Sequence, residues 1–183
     1  MQMMAKTGNS SENPFKKGAQ VEVSFEDEGF RGSWYTATVL RPPPKKASRK
    51  PRILLQFDTL TDADEEERAA EPLRENVDLI LVRPIPPRES RRRFRVNDDV
   101  DAFHNDGWWE GVVIAVLDGG DRYSVFFRSS REQIDFPESQ LRLHREWVHG
   151  KWVPPLEDDV KDDDARDPLQ QPPSKKIRLP DKT

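Results

Sequence analysis

Two adjacent aromatic pairs, Trp34-Tyr35 and Trp108-Trp109, are the residues of this 183-residue chain best suited to chemistry. Each pair follows a turn containing acid and glycine (Asp27 to Gly29, Asp106 to Gly107) and leads into a β-branched run. Aromatic faces attract cations through their ring quadrupoles, and nearby carboxylates add charge-assisted hydrogen bonds. This is the chemistry of non-covalent capture. Equipment for covalent catalysis is missing from the sequence. There is no cysteine, hence no disulfide, thiolate zinc site or Cys nucleophile. The three histidines, His104, His144 and His149, form no HExxH motif, and no Gly-rich phosphate loop or nucleophile elbow occurs. His144 is expected to pack or hydrogen-bond within "LRLHREWVHGKW". No enzyme, cofactor or metal site is expected.

The elements that must position these rings are short strands. Apolar residues make up 34% and charged residues 35% of the chain, too little bulk for one large core. The sequence repeats instead. "FKKGAQVEVSFEDEGFRGSWYTATVL" is answered by "FRVNDDVDAFHNDGWWEGVVIAVL", with Val21 and Val23 matching Val100 and Ala102. A second strand follows in each copy around Phe57 and Phe127, and a closing run ends each, at 77–84 and 141–148. Period-two alternation and frequent turn signals predict an all-β chain of two small barrels, 15–87 and 88–153. Barrels this small are marginal alone, so they are expected to pack together. The proline-rich joint "RPIPPRESRRRF" would stiffen that arrangement. Residues 1–14 and the acidic, Pro-rich stretch 154–183 lack the apolar bulk to offset ordering entropy and read as disordered. No apolar run reaches membrane-span length and the start is unlike a signal peptide, so a soluble intracellular protein is expected, with no membrane partner.

The segments "GAQVEVSFEDEGFRGSWYTATV" and "DDVDAFHNDGWWEGVV", with the closing "PLRENVDLILVRPIPP" and "LRLHREWVHGKWVPP", resemble the paired Agenet domains of plants, members of the Tudor-like royal superfamily. The resemblance covers about 15–155. It implies two packed Tudor-like (SH3-like) barrels and a chromatin reader. The family's readers bind histone tails, some a dimethylated lysine in heterochromatin. The expected partner is therefore a histone H3 tail, dimethylated at lysine 9.

A methylated ammonium keeps its charge, loses donors and gains apolar surface, so it suits two to four converging rings, each worth about 0.5–2 kcal/mol. Tudor-type positions map onto Phe25, Tyr35 and Phe57 in the first barrel, with Leu60 leaving that cage three-sided. Adjacent strand residues face opposite ways. Tyr35 is accordingly expected outside, and Trp34 towards the core or the partner barrel. Phe30 reads as a lid or a packing residue. In the second barrel the positions fall on Phe103 or His104, Trp109 and Phe127, an incomplete cage that could hold another part of the tail. For Trp109 and Phe127, packing between the barrels is the alternative. Glu26, Asp27, Glu28 and Asp58 flank the first site, and Asp106 and Glu110 the second.

Nucleic acid is the competing partner. The segment 41–52 carries six basic residues, and Arg88, Arg91, Arg92, Arg93 and Arg95 form a second cluster. Both are candidates for contact with nucleosomal DNA or RNA. Against this, residues 15–153 hold 23 basic and 25 acidic side chains. The acidic run 62–67 could attract a cationic partner or simply be solvated. A third reading is a protein-interaction scaffold whose aromatics hold the barrels together. Lys175, Lys176 and Arg178 fit a K-K-x-R nuclear import signal, and a nuclear location is expected.

Overall fold

The computed structural model describes residues 13–46, 49–62, 71–88 and 92–156. The chain divides after Val153, and the strands of the described residues all precede that point. The terminal stretches expected to be disordered lie almost wholly outside the described residues, as do the import signal and most of the acidic run.

The first copy folds as β1 (Gln20–Ser24), β2 (Ser33–Arg41), β3 (Arg52–Thr61), β4 (Pro72–Asp78) and β5 (Val82–Pro84). The second repeats this as β6 (Asp99–His104), β7 (Gly107–Leu117), β8 (Arg122–Phe127), β9 (Glu132–Pro137) and β10 (Leu141–Leu143). A hairpin follows, β11 (Glu146–Val148) and β12 (Lys151–Val153). All pairings are antiparallel, in the order β5-β1-β2-β3-β4 and β10-β6-β7-β8-β9.

Alternation builds both cores. Val21 and Val23 of β1, Tyr35, Ala37 and Val39 of β2, and Ile53, Leu55 and Phe57 of β3 fill the first barrel. Val100 and Ala102 of β6, Val113 of β7, and Tyr123, Val125 and Phe127 of β8 fill the second. The register confirms the repeat. Val39 opposes Leu55 and Val113 opposes Val125, and in both copies a bulge follows at once, at Leu40 and at Ile114. A bulge bends and twists the strand, which small barrels need for closure.

The barrels do not merely lie side by side. β2 pairs with β7, with Trp34 opposite Trp108 and Ser33 opposite Trp109. Because Trp34 and Trp108 are repeat equivalents, a local pseudo-two-fold axis passes between them. A further backbone bond, Glu110 N–H to the Gly32 carbonyl at 2.8 Å, continues the seam. Gly107 gives the seam room, since a Cβ here would lie 3.1 Å from the Tyr35 ring and press it by a few tenths of an ångström.

Candidate functional site

Four rings meet at one end of the first barrel. Phe25 just after β1, Phe30 in the 3-10 turn Glu28–Phe30, Tyr35 at the start of β2 and Phe57 in β3 supply them. Phe25 lies 5.7 Å from Phe30, 5.7 Å from Tyr35 and 5.6 Å from Phe57 between ring centroids, and Phe30 lies 6.1 Å from Tyr35. At these separations the rings touch one another. Phe57 is 0% exposed and Tyr35 3%, whereas Phe30 is 42% exposed and forms the outer wall. Leu60 packs against the same core.

This corrects one expectation. Tyr35 points into the first barrel, and Trp34 faces out. Buried Ser33, Tyr35, Ala37 and Val39 share one phase of β2, and that phase lines the interior. Adjacent residues do face opposite ways, but the outward face at Trp34 meets the second barrel instead of solvent. Trp34 thus takes the partner-barrel position allowed for it.

The second-barrel residues are dispersed. Phe103 is exposed and pairs with Trp108 at 5.3 Å, on the outer face of β6. His104 and Phe127 lie against Phe136, at 6.0 and 5.9 Å. Trp109 turns towards the first barrel, 6.5 Å from Tyr35, and packs against both cores. Its indole N–H donates to the His104 carbonyl at 2.8 Å. These residues do not converge as one cage, and Trp109 packs between the barrels.

Glu26, Asp27 and Glu28 lie in the loop between Phe25 and Phe30, and Asp106 acts on Tyr35, whereas Asp58 turns to the outer face of β3 and accepts from the Thr38 hydroxyl at 3.4 Å. Glu26, Asp27, Glu28, Asp58 and Asp106 are exposed. Asp106 lies in the β6–β7 turn, where Asn105 and Asp106 both take positive φ, 46° and 62°, as a tight hairpin demands. The Asp106 carbonyl accepts from the Thr59 hydroxyl at 3.4 Å, tying this turn to the end of β3. Burial and the charge of Asp106 together raise the Tyr35 phenol above its usual range. The second barrel thus brings a carboxylate to the first barrel's rings. Glu110 is half-buried and shares Arg128 with Asp99.

On the pseudo-two-fold axis lies a buried charge quartet. Glu22 and Asp101 are 0% exposed and Arg83 is 2% exposed. Arg83 Nε donates to Glu22 at 2.9 Å, and its terminal nitrogen lies 3.3 Å from Asp101. Arg142 donates to Glu22 at 2.6 and 3.0 Å and to Asp101 at 3.0 Å. The guanidinium groups stack on the paired tryptophans, Arg83 over Trp34 at 3.6 Å and Arg142 over Trp108 at 4.1 Å. His144 Nδ1 sits 2.6 Å from the other Asp101 oxygen. Burial would raise the Asp101 carboxyl, but the His144 hydrogen bond and the charges of Arg142, His144 and Arg83 outweigh it, and its pKa falls. Burial would likewise lower His144, but the hydrogen bond and charge of Asp101 prevail, and it titrates above its usual value.

A family model described as Agenet domain matches residues 18–87 and again 97–158. The chain belongs to the Agenet family. In Arabidopsis thaliana, Protein AGENET DOMAIN (AGD)-CONTAINING P1 is 44% identical over 161 residues, covering 85% of this chain and 30% of the relative. DUF724 domain-containing protein 3 of the same plant is 38% identical over 142 residues, covering 76% of this chain and 19% of the relative. The chain thus spans less than a third of the length of these two relatives. Among solved structures, the crystal structure of Arabidopsis thaliana AGDP1 AGD34 superposes with a TM-score of 0.65 at 39% identity, covering 75% of this chain and 88% of that one. The ADCP1 tandem Agenet domain 3-4 superposes with a TM-score of 0.61 at 37% identity, covering 75% and 86%. The fold is all-β and the Agenet domains are two in tandem, as the sequence led us to expect.

Sequence reasoning missed the quartet between the Agenet domains. The signal was present in the repeat itself: Glu22 and Asp101 occupy one position, and Arg83 and Arg142 another. A repeated acid paired with a repeated Arg on the neighbouring strand marks an interface related by pseudo-symmetry.

Proposed function

We propose that this tandem Agenet module is a non-catalytic reader of a basic, methyl-lysine-bearing tail, of the type found on histone H3 dimethylated at lysine 9. The observation carrying this reading is the convergence of Phe25, Phe30, Tyr35 and Phe57 beneath a rim of carboxylates from both domains. Tyr35 and Phe57 are fixed by the core, while Phe25 and exposed Phe30 are the walls able to move. Phe30 ends the short 3-10 turn Glu28–Phe30 and is followed by Gly32 at φ 80°, and its exposed ring would swing aside to admit a ligand. A methylammonium would then enter against Tyr35, with cation–π attraction replacing ring–ring contact. Asp106 would take the donors of neighbouring basic residues. This reading implies a nuclear location.

Phe30→Ala and Phe25→Ala test the site itself. Both residues are at least partly exposed, so the fold should persist in thermal melts while preference for a dimethyl-lysine peptide over the unmodified one disappears. Retained preference in both variants would move the site elsewhere. A secondary contact with DNA is favoured by one observation: Arg41, Lys45, Lys46, Arg49 and Lys50 are all exposed on the β2–β3 connection.

A further inference from the structure

The end of the first domain opposite the rings carries a cationic surface with an isoleucine at its tip. Three segments meet there. The Gly18 N–H donates to the Val39 carbonyl at 2.8 Å, which sets the turn at Lys17 beside the end of β2. The Leu79 N–H donates to the Pro51 carbonyl at 2.8 Å, which joins the 3-10 turn Leu79–Leu81 to the β2–β3 connection. Lys17, Arg41, Lys45, Lys46, Arg49 and Lys50 are exposed, and none is paired with an acid among the described residues. Asp78, next to the turn, is held by Arg52 at 3.3 Å. Ile80 is 92% exposed, while Leu79 and Leu81 beside it pack on the core.

The repeat supplies an internal control. Gly18 and Asn97 are equivalent: their φ angles are 81° and 77°, and the Asn97 N–H donates to the Val113 carbonyl at 2.8 Å as Gly18 does to Val39. Val96 therefore stands where the first domain has Lys17. The short turn Asp118–Gly120 replaces the basic β2–β3 connection. The turn Glu138–Gln140 replaces Leu79–Leu81, so Ser139 takes the place of Ile80, each preceding the repeated arginine of the quartet, Arg142 or Arg83. The fold thus forms without these cations and without an apolar tip, and the first domain has both at one place.

We propose that this end of the first domain binds duplex DNA, with Ile80 in the minor groove and the six cations on the phosphates flanking it. The inference rests on the DNA contact stated above and adds its geometry, and it is independent of the methyl-lysine reading. Four of the six cations are lysines, point charges that suit phosphates more than the planar fork of a carboxylate does. A protein partner would need a larger anchor than one isoleucine, since binding hot spots are built on Trp, Tyr and Arg. A minor groove about 6 Å wide admits an aliphatic side chain between two rows of phosphates, and proteins that bind there insert apolar wedges of this kind. An anionic bilayer would attract the same charges, but Leu79 and Leu81 are packed on the core and do not follow Ile80 outwards. Tyr35 and Arg41 lie near opposite ends of β2, about 20 Å apart along the strand. A tail at the rings and DNA at this end can therefore be held together.

The test is fluorescence anisotropy of a labelled A·T-rich duplex titrated with the full chain between about 50 and 200 mM salt. Ile80 is exposed and serine holds its place in the second domain, so Ile80→Ser should melt like the wild type. With about five or six phosphate contacts, the slope of log affinity against log salt should be about −5. Ile80→Ser should weaken binding about tenfold at every salt concentration and leave that slope unchanged, because it removes apolar contact and no charge. The double variant Lys45→Glu/Lys46→Glu should flatten the slope by about 2. If Ile80→Ser binds like the wild type while the lysine variant flattens the slope, the DNA contact stands and the groove insertion is overturned. If neither variant changes binding, or no duplex binds, the DNA contact falls with it. Loss of affinity in Ile80→Ser for vesicles of anionic lipid, with DNA binding unchanged, would overturn the proposal in favour of a membrane surface.

Discussion

Replacing Asp101 by Asn should separate the two Agenet domains energetically while leaving the shape of the side chain intact. Asp101 is fully buried and receives Arg83 at 3.3 Å, Arg142 at 3.0 Å and His144 at 2.6 Å. In the variant, two guanidinium groups share the single carboxylate of Glu22, and one positive charge is buried without a partner. Breaking a buried ion cluster this way costs about 3–5 kcal/mol. At roughly 2–4 °C per kcal/mol for a unit of this size, the melting midpoint should fall by about 6–20 °C. Circular dichroism melts at pH 7 read this directly. His144 adds a pH signature. Its folded pKa is raised, so its stabilisation is complete below the ordinary histidine value and is lost as pH rises through the folded one. Asp101 is depressed, so its contribution is present above the usual carboxylate range and is lost as pH falls through the folded value. Wild type should therefore lose stability on moving from pH 6 to pH 9. Asp101→Asn should lose that dependence, whereas Glu22→Gln, which leaves the His144 contact intact, should keep it. A fall of less than about 2 °C in Asp101→Asn, at most about 1 kcal/mol, would refute the assignment of this cluster as the interdomain lock.

Three further outcomes follow from packing. Phe57→Ala removes a fully buried ring and should cost about 3–5 kcal/mol, so its melt should collapse before its binding can be interpreted. Gly111→Ala places a Cβ 2.5 Å from Val125 Cγ1 and 3.1 Å from the Phe126 carbonyl, and urea denaturation should show a loss of about 1–3 kcal/mol. Gly29→Ala, where the added Cβ meets open space, should leave the unfolding midpoint unchanged.

The repeat, the strand class and the identity of the first ring set were legible because they are local patterns. Valines on alternate positions and a turn before each aromatic pair need no knowledge of the partner domain. The phase of Tyr35 was not legible. In "SWYTATVL" the two phases are Ser-Tyr-Ala-Val and Trp-Thr-Thr-Leu, and Trp looks the more core-like. What covers Trp34 is Arg83, held by Asp101 of the other domain, which a reading of one strand does not contain. Glu22 in "VEV" and Asp101 in "VDA" gave no signal for the same reason. A charged residue between two valines normally marks a solvated face. Here that face is covered by the other domain and neutralised by Arg83 and Arg142, residues separated from Glu22 by 61 and 120 positions. Phe30 was named only as lid or packing, because its role depends on where Phe25 and Tyr35 meet it.

The central claim concerns methylation. Isothermal titration of the full chain with a histone H3 tail peptide, unmodified and dimethylated at lysine 9, tests it most directly. We expect the dimethylated peptide to bind more tightly by at least about tenfold, the equivalent of one or two cation–π contacts in a desolvated site. Equal affinities for the two peptides would contradict a methyl-lysine site at Phe25, Phe30, Tyr35 and Phe57.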